Sequence, residues 1–98
     1  MSSLRSDFRP TACFSVQAAT EPSVMARVLE LFAKRGLVPT RLHSDVGGPH
    51  GETLTIDIQM EGLDSDLAAY MARCMRQIAY VDCVLTSERG TLPLAQRA

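Results

Sequence analysis

Nine residues, Thr53 to Glu61, alternate without a fault, and that alternation restricts the fold more than any other feature of the chain. Leu54, Ile56, Ile58 and Met60 face one way while Thr55, Asp57 and Gln59 face the other. Strand side chains point to opposite faces in turn, so this segment belongs to a sheet covered on one face only. A fully buried parallel strand reads as a continuous apolar run, so the pattern points to an antiparallel or mixed sheet. Ala12 to Ala18 repeats it, with Phe14, Val16 and Ala18 set against Cys13, Ser15 and Gln17.

Two helical segments are available to cover the apolar face. Pro22 suits a first helical turn, where its missing N–H costs nothing, and Glu21 suits the positive end of the helix dipole. Met25, Val28, Leu29 and Phe32 recur at helical spacing as the expected buried stripe. Glu30 and Lys34 are spaced for an i,i+4 pair. Lys34 and Arg35 complement the C-terminal dipole, and Gly36 supplies a left-handed cap. The second helix follows Gly62, with Asp64 or Ser65 as its cap and Asp66 in its first turn. Leu67, Tyr70, Met71, Cys74, Met75 and Ile78 form its apolar face, and Arg73 and Arg76 ride the other side.

Between these segments, Leu37 to Ser44 reads as a strand with Val38 and Leu42 on one face. Pro39 lacks a ladder donor and argues for an edge or a strand end. Asp45 to Glu52 reads as a turn-rich loop, and Tyr80 to Thr86 as a last strand. The order is strand–helix–strand twice over. Two such units with right-handed crossovers interleave into an α+β, ferredoxin-like βαββαβ sandwich: a four-stranded antiparallel sheet with both helices on one face. The other face would carry Ser15, Gln17, Asp57 and Gln59. The expected organisation is a loose lead over 1–11, one domain over 12–88 and a polar tail over 89–98.

Several classes of function lose support at this level. A net charge of −1 gives no electrostatic footprint for nucleic acid or an anionic membrane. No apolar run approaches the ~20 residues of a membrane span, and the N-terminus has no apolar signal core. Cys13, Cys74 and Cys83 are odd in number and unpaired in spacing, which fits a reducing cytoplasm and buried thiols. His43 and His50 have no cysteine or carboxylate at metal-ligand spacing. Gly47 to Gly51 superficially resembles a phosphate cradle, but a strand follows it rather than a helix, so a hairpin loop is the better reading. Asp64 and Asp66 are explained as capping, and the methionines as core filler. Arg41 and His43 share a strand face suited to an acidic ligand or to water. No arrangement here builds an active site.

With the elements placed, the chain resembles an ACT domain from about Ala12 to Glu88. "EPSVMARVLELFAKRG" (residues 21–36) is similar to the family's D-x-P-G strand end followed by an apolar helix closing on L-F-x-x-R-G. Within the family, "ARVLELFAKRG" and the late "QIAYVDCV" look most like the single-domain small regulatory subunit of acetolactate (acetohydroxyacid) synthase, isozyme II type. That resemblance implies a non-catalytic chain that binds and activates the enzyme's large subunit in branched-chain amino-acid biosynthesis. It implies no cofactor in this chain, with thiamine diphosphate, Mg²⁺ and FAD on the partner, and a homodimer. Ligand-sensing relatives hold an amino acid at positions matching Thr20, Glu21, Ser23, Val24 and Met25, together with an Asn matching Val38. Here Thr20 replaces an acid or amide, Ser23 a glycine, and Val38 an amide. An apolar Val38 offers neither the donor nor the acceptor of an amide, so the expectation is weak or no valine sensing. The alternative is a free-standing amino-acid sensor with its ligand at a dimer interface near Thr20 to Met25.

Overall fold

The computed structural model describes residues 10–90. The chain order is β1 (Thr11–Ala19), α1 (Pro22–Ala33), β2 (Arg41–Gly47), β3 (Thr53–Glu61), α2 (Ser65–Arg76) and β4 (Val81–Arg89). The strands lie in the order β2-β3-β1-β4, every neighbouring pair antiparallel, which is the ferredoxin-like topology that the two interleaved units imply. The expected lead and tail lie largely outside the described residues. Within them, β1 opens at Thr11, and β4 runs on past the expected strand end at Thr86 to Arg89, the first residue of the expected tail.

The alternation in β1 and β3 is realised as read. Phe14, Val16, Ile56 and Ile58 are buried, while Ser15, Gln17 and Gln59 stay half-exposed and Asp57 exposed on the face without helices. Phe14 meets Phe32 of α1 edge to face, ring centroids 6.1 Å apart, a geometry that the aromatic quadrupoles favour.

The helices are turned slightly from their expected settings. On α1 the fully buried stripe is Val24, Val28 and Phe32, with Met25 at its margin and Leu29 37% exposed. On α2 it is Met71, Ala72 and Met75, and Tyr70 stands partly in solvent. Small Ala72 sits against the sheet, whereas Tyr70 lies under the Arg35 guanidinium (4.9 Å to the ring centre) with Arg73 alongside (5.7 Å). Stacking on two cations rewards the ring's outward position.

Helix ends follow their local signals. Asp64 caps α2, its Oδ2 accepting from the N–H groups of Asp66 (3.0 Å) and Leu67 (3.3 Å). After α1, Gly36 takes φ +68°, its N–H donates to Ala33 O, and the Leu37 N–H donates to Phe32 O. These paired bonds make a Schellman stop that satisfies the last carbonyls of the helix. Glu30 and Lys34 form their exposed pair at 3.8 Å.

The second strand departs from expectation. It spans Arg41–Gly47 rather than 37–44, because Pro39 has no N–H to give and the ladder begins only after it, with Thr40 N–H donating to Gln59 O. Asp45, Val46 and Gly47, expected in the loop, belong to the strand and pair with Thr55, Leu54 and Thr53. Among the described residues no helix is long and apolar enough to cross a membrane.

Candidate functional site

The turn from β1 into α1 is closed by the chain's own backbone. Ala19 N–H donates to Tyr80 O (2.9 Å), Thr20 N–H to Glu52 O (3.2 Å) and Glu21 N–H back to Ala19 O (2.8 Å). Pro22 has no N–H, and Val24 donates to Glu21 O. Glu21 holds the N-cap position in an extended conformation, and its side chain makes no cap bond.

The candidate ligand residues divide into three environments. Thr20 is exposed, and Glu21, Ser23 and Met25 are half-exposed around the turn. Val24 is a core side chain, 0% exposed; its place in the i, i+4, i+8 stripe with Val28 and Phe32 takes it out of any surface site. Val38 lies in the connection before β2, 80% exposed. It adjoins the Arg41–Gln59 end of the sheet, whereas Thr20 follows the Ala19–Thr53 end. Six strand residues separate those ends, about 20 Å at ~3.3 Å per residue. Within one chain, then, the turn and Val38 do not share a site.

Two residues at the turn escaped the sequence reading. Tyr80, expected as the first strand residue, takes φ +75° in the connection before β4 and offers its carbonyl to Ala19. Left-handed backbone at a bulky aromatic is strained, and no glycine or asparagine marked the position. Glu52 supplies the acceptor for Thr20 and also folds its carboxylate into the β2–β3 loop, where the His50 N–H donates to Oε1 at 2.9 Å. A Cβ on Gly48, at φ +91°, would lie 2.7 Å from the Glu52 carboxyl carbon. The glycine loop therefore cradles its own carboxylate, which accounts for its resemblance to an anion site. Only the pairing of β1 with β3 brings Glu52 beside Thr20, so local sequence carried no signal for it.

Arg41 and His43 do share the open face of the sheet, as expected from their spacing. They line a shallow concavity of about 590 Å³ with Ser15, Asp57, Gln59 and Leu85. His43 Nε2 is paired with Asp45 Oδ2 at 2.9 Å, and Arg89 donates to Gln59 Oε1 at 3.0 Å. Cys13 and Cys74 are half-buried and Cys83 is exposed, rather than all three being core. Among the described residues no group of three histidines, cysteines or carboxylates is set to hold a metal.

The fold is shared with solved structures of low sequence identity. The ACT domain of GTP pyrophosphokinase from Chlorobium tepidum aligns with a TM-score of 0.67 and 9% identity, over 81% of this chain and 99% of that one. The C-terminal domain of MgtC from Mycobacterium tuberculosis gives 0.64 and 12%, over 90% and 95%. The regulatory subunit of aspartate kinase from Thermus flavus gives 0.61 and 12%, over 84% of this chain and 52% of that longer one. At these identities the likeness speaks for the fold alone. No curated protein matches the sequence. The family model for the ACT-like domain matches residues 5–90, nearly the whole chain, and the protein belongs to the ACT-like domain family.

Proposed function

We propose that the chain is a non-catalytic regulatory subunit that pairs with itself and activates the large subunit of acetolactate synthase, with weak or no valine sensing. The observation that carries this reading is the state of the β1–α1 turn. Its amides at Ala19, Thr20 and Glu21 are spent on Tyr80, Glu52 and Ala19, Val24 is in the core, and Thr20 and Ser23 stand where an acid or amide and a glycine would hold a ligand. The scaffold of a ligand grip is present without the groups that grip, which favours a partner over a metabolite. The likeness of "ARVLELFAKRG" and "QIAYVDCV" to acetolactate synthase small subunits supports the choice of partner. In this reading thiamine diphosphate, Mg²⁺ and FAD reside on the large subunit. The domain acts by binding one conformation of that subunit more tightly than another.

The test is co-expression with the acetolactate synthase large subunit of the same genome. Co-purification and a several-fold rise in acetolactate formation over the large subunit alone are expected. Unchanged activity and separate elution would refute the proposal.

A further inference from the structure

The open face of the sheet carries a hollow that the proposed regulatory role does not use. Residues paired across the ladders lie on the same face, so the register sets this face out in rows. One row runs Arg41, Gln59, Cys13 and Ser87, and the next runs His43, Asp57, Ser15 and Leu85. Cys13, Ser15 and Ser87 are short and make a floor. Arg41, His43, Gln59 and Leu85 are long and make walls, which gives this part of the sheet its concavity of about 590 Å³.

The hollow has two chemically distinct ends. At one, Gln59 stands between two arginines. Arg41 is its ladder partner, and Arg89, at the rim, reaches over β1 to donate from Nη2 to Gln59 Oε1 at 3.0 Å. With that oxygen occupied, the Gln59 amide has its N–H groups left to offer, so this end presents donors. The Cys13 thiol is turned back to Thr11 O at 3.8 Å. At the other end stands the exposed Asp57, an acceptor when ionised, with Ser15 as its ladder partner. Glu61 lies a row further out, beside Thr11 and outside the hollow. The two ends do not neutralise each other. Arg41 and Asp57 line the same hollow, yet among the described residues the ion pairs are Glu30 with Lys34 and His43 with Asp45.

We propose that this hollow binds a small phosphorylated polyol, with its phosphoryl group at the Arg41–Gln59–Arg89 end and a hydroxyl donating to Asp57. A phosphate monoester brings three acceptor oxygens and a charge of about −2 to a cluster of donors. Guanidinium forks match such a group bidentately. The two ends are set two residues apart along the strands, about 6.6 Å at the backbone. The ammonium and carboxylate of an α-amino acid share one carbon and do not span that separation, whereas a phosphoryl group and a polyol hydroxyl do. The site lies away from the β1–α1 turn and does not rest on the choice of enzyme partner.

Titration of the isotope-labelled full chain, followed by amide chemical shifts at matched ionic strength, tests the site. The probes are glycerol phosphate, inorganic phosphate and glycerol, each taken to about 20 mM, well above a millimolar Kd. Glycerol phosphate is expected to give saturable shifts at Cys13, Ser15, Gln59 and Ser87. Inorganic phosphate should bind the same residues several-fold more weakly, and glycerol not at all. Arg41→Gln should weaken glycerol phosphate by about tenfold or more, the loss that follows from removing a charge-assisted bond. Asp57→Asn removes both a hydroxyl acceptor and a negative charge. Inorganic phosphate should then bind at least as well as before, while the preference for glycerol phosphate disappears. Both side chains are exposed, and an unchanged spectrum away from the hollow shows that each variant folds. No saturable shift at these residues with either phosphate would overturn the site. Equal affinity for the two phosphates, or indifference to Arg41→Gln, would overturn the assignment of its ends. Sedimentation with phosphatidic acid vesicles, without shifts from soluble glycerol phosphate, would move the same phosphomonoester chemistry to a membrane surface and overturn the small-molecule ligand.

Discussion

Proline substitutions at two adjacent positions of β2 test the ladder parity directly. The Asp45 N–H points to Thr55, while the Ser44 N–H points off the edge. Asp45→Pro deletes an intrachain ladder bond and strands a carbonyl, at a cost of about 1–3 kcal/mol. In a domain of this size each kcal/mol lowers Tm by roughly 4–8 °C. Ser44→Pro removes no intrachain bond, and proline is tolerated on an edge where its missing N–H faces water, so monomer stability should change by less than about 1 kcal/mol. Urea melts of the two variants report both quantities. Equal destabilisation by the two prolines would refute the parity.

Arg76→Met should cost about 1–2 kcal/mol through loss of the charge-assisted bond to Val84 O, and should expose a carbonyl on the β4 edge; thermal melts and light scattering check the two effects. Gly36→Ala, at φ +68° with open space around a new Cβ, should destabilise by about 1 kcal/mol from left-handed strain. Gly47→Ala, also in open space but without a positive φ, should be neutral or stabilising by up to about 1 kcal/mol, so the pair of melts separates backbone conformation from sterics. Amino acids at 10 mM should leave Tm within about 1 °C of the apo value; a ligand at 100 times its Kd would add about 2.7 kcal/mol and favour the sensor alternative.

Much of the fold was legible because its signals are local and agree with one another. The alternation of β3 and the Gly36 stop each follow from a few neighbouring residues and appear in the structure as read, and of the two cap candidates Asp64 and Ser65 the structure uses Asp64. The start of β2 was misread because Val38 and Leu42 share an apparent period that Pro39 interrupts. Apolar spacing placed the stripes on α1 and α2 to within one position. Which of Val24, Met25 and Leu29 is buried depends on the helix's rotation against the sheet, a quantity no local pattern records.

By itself, the sequence determined that two amphipathic helices must cover one face of a half-buried sheet, because hydrophobic periodicity leaves the apolar side chains no other place to go. It also determined that the β1–α1 turn lacks an acid, amide or glycine at Thr20 and Ser23. Tertiary structure decided the rest. It brought Glu52 and Tyr80 to that turn, separated Val38 from it, and turned the backbone groups of Leu42, Ser44 and Val46 off one edge of the sheet, unpaired among the described residues, while Arg76 bonds the Val84 carbonyl on the other. Those outcomes depend on which strands pair and in what register. Pairing is a long-range choice made by the whole apolar face at once, and it cannot be read from any single segment.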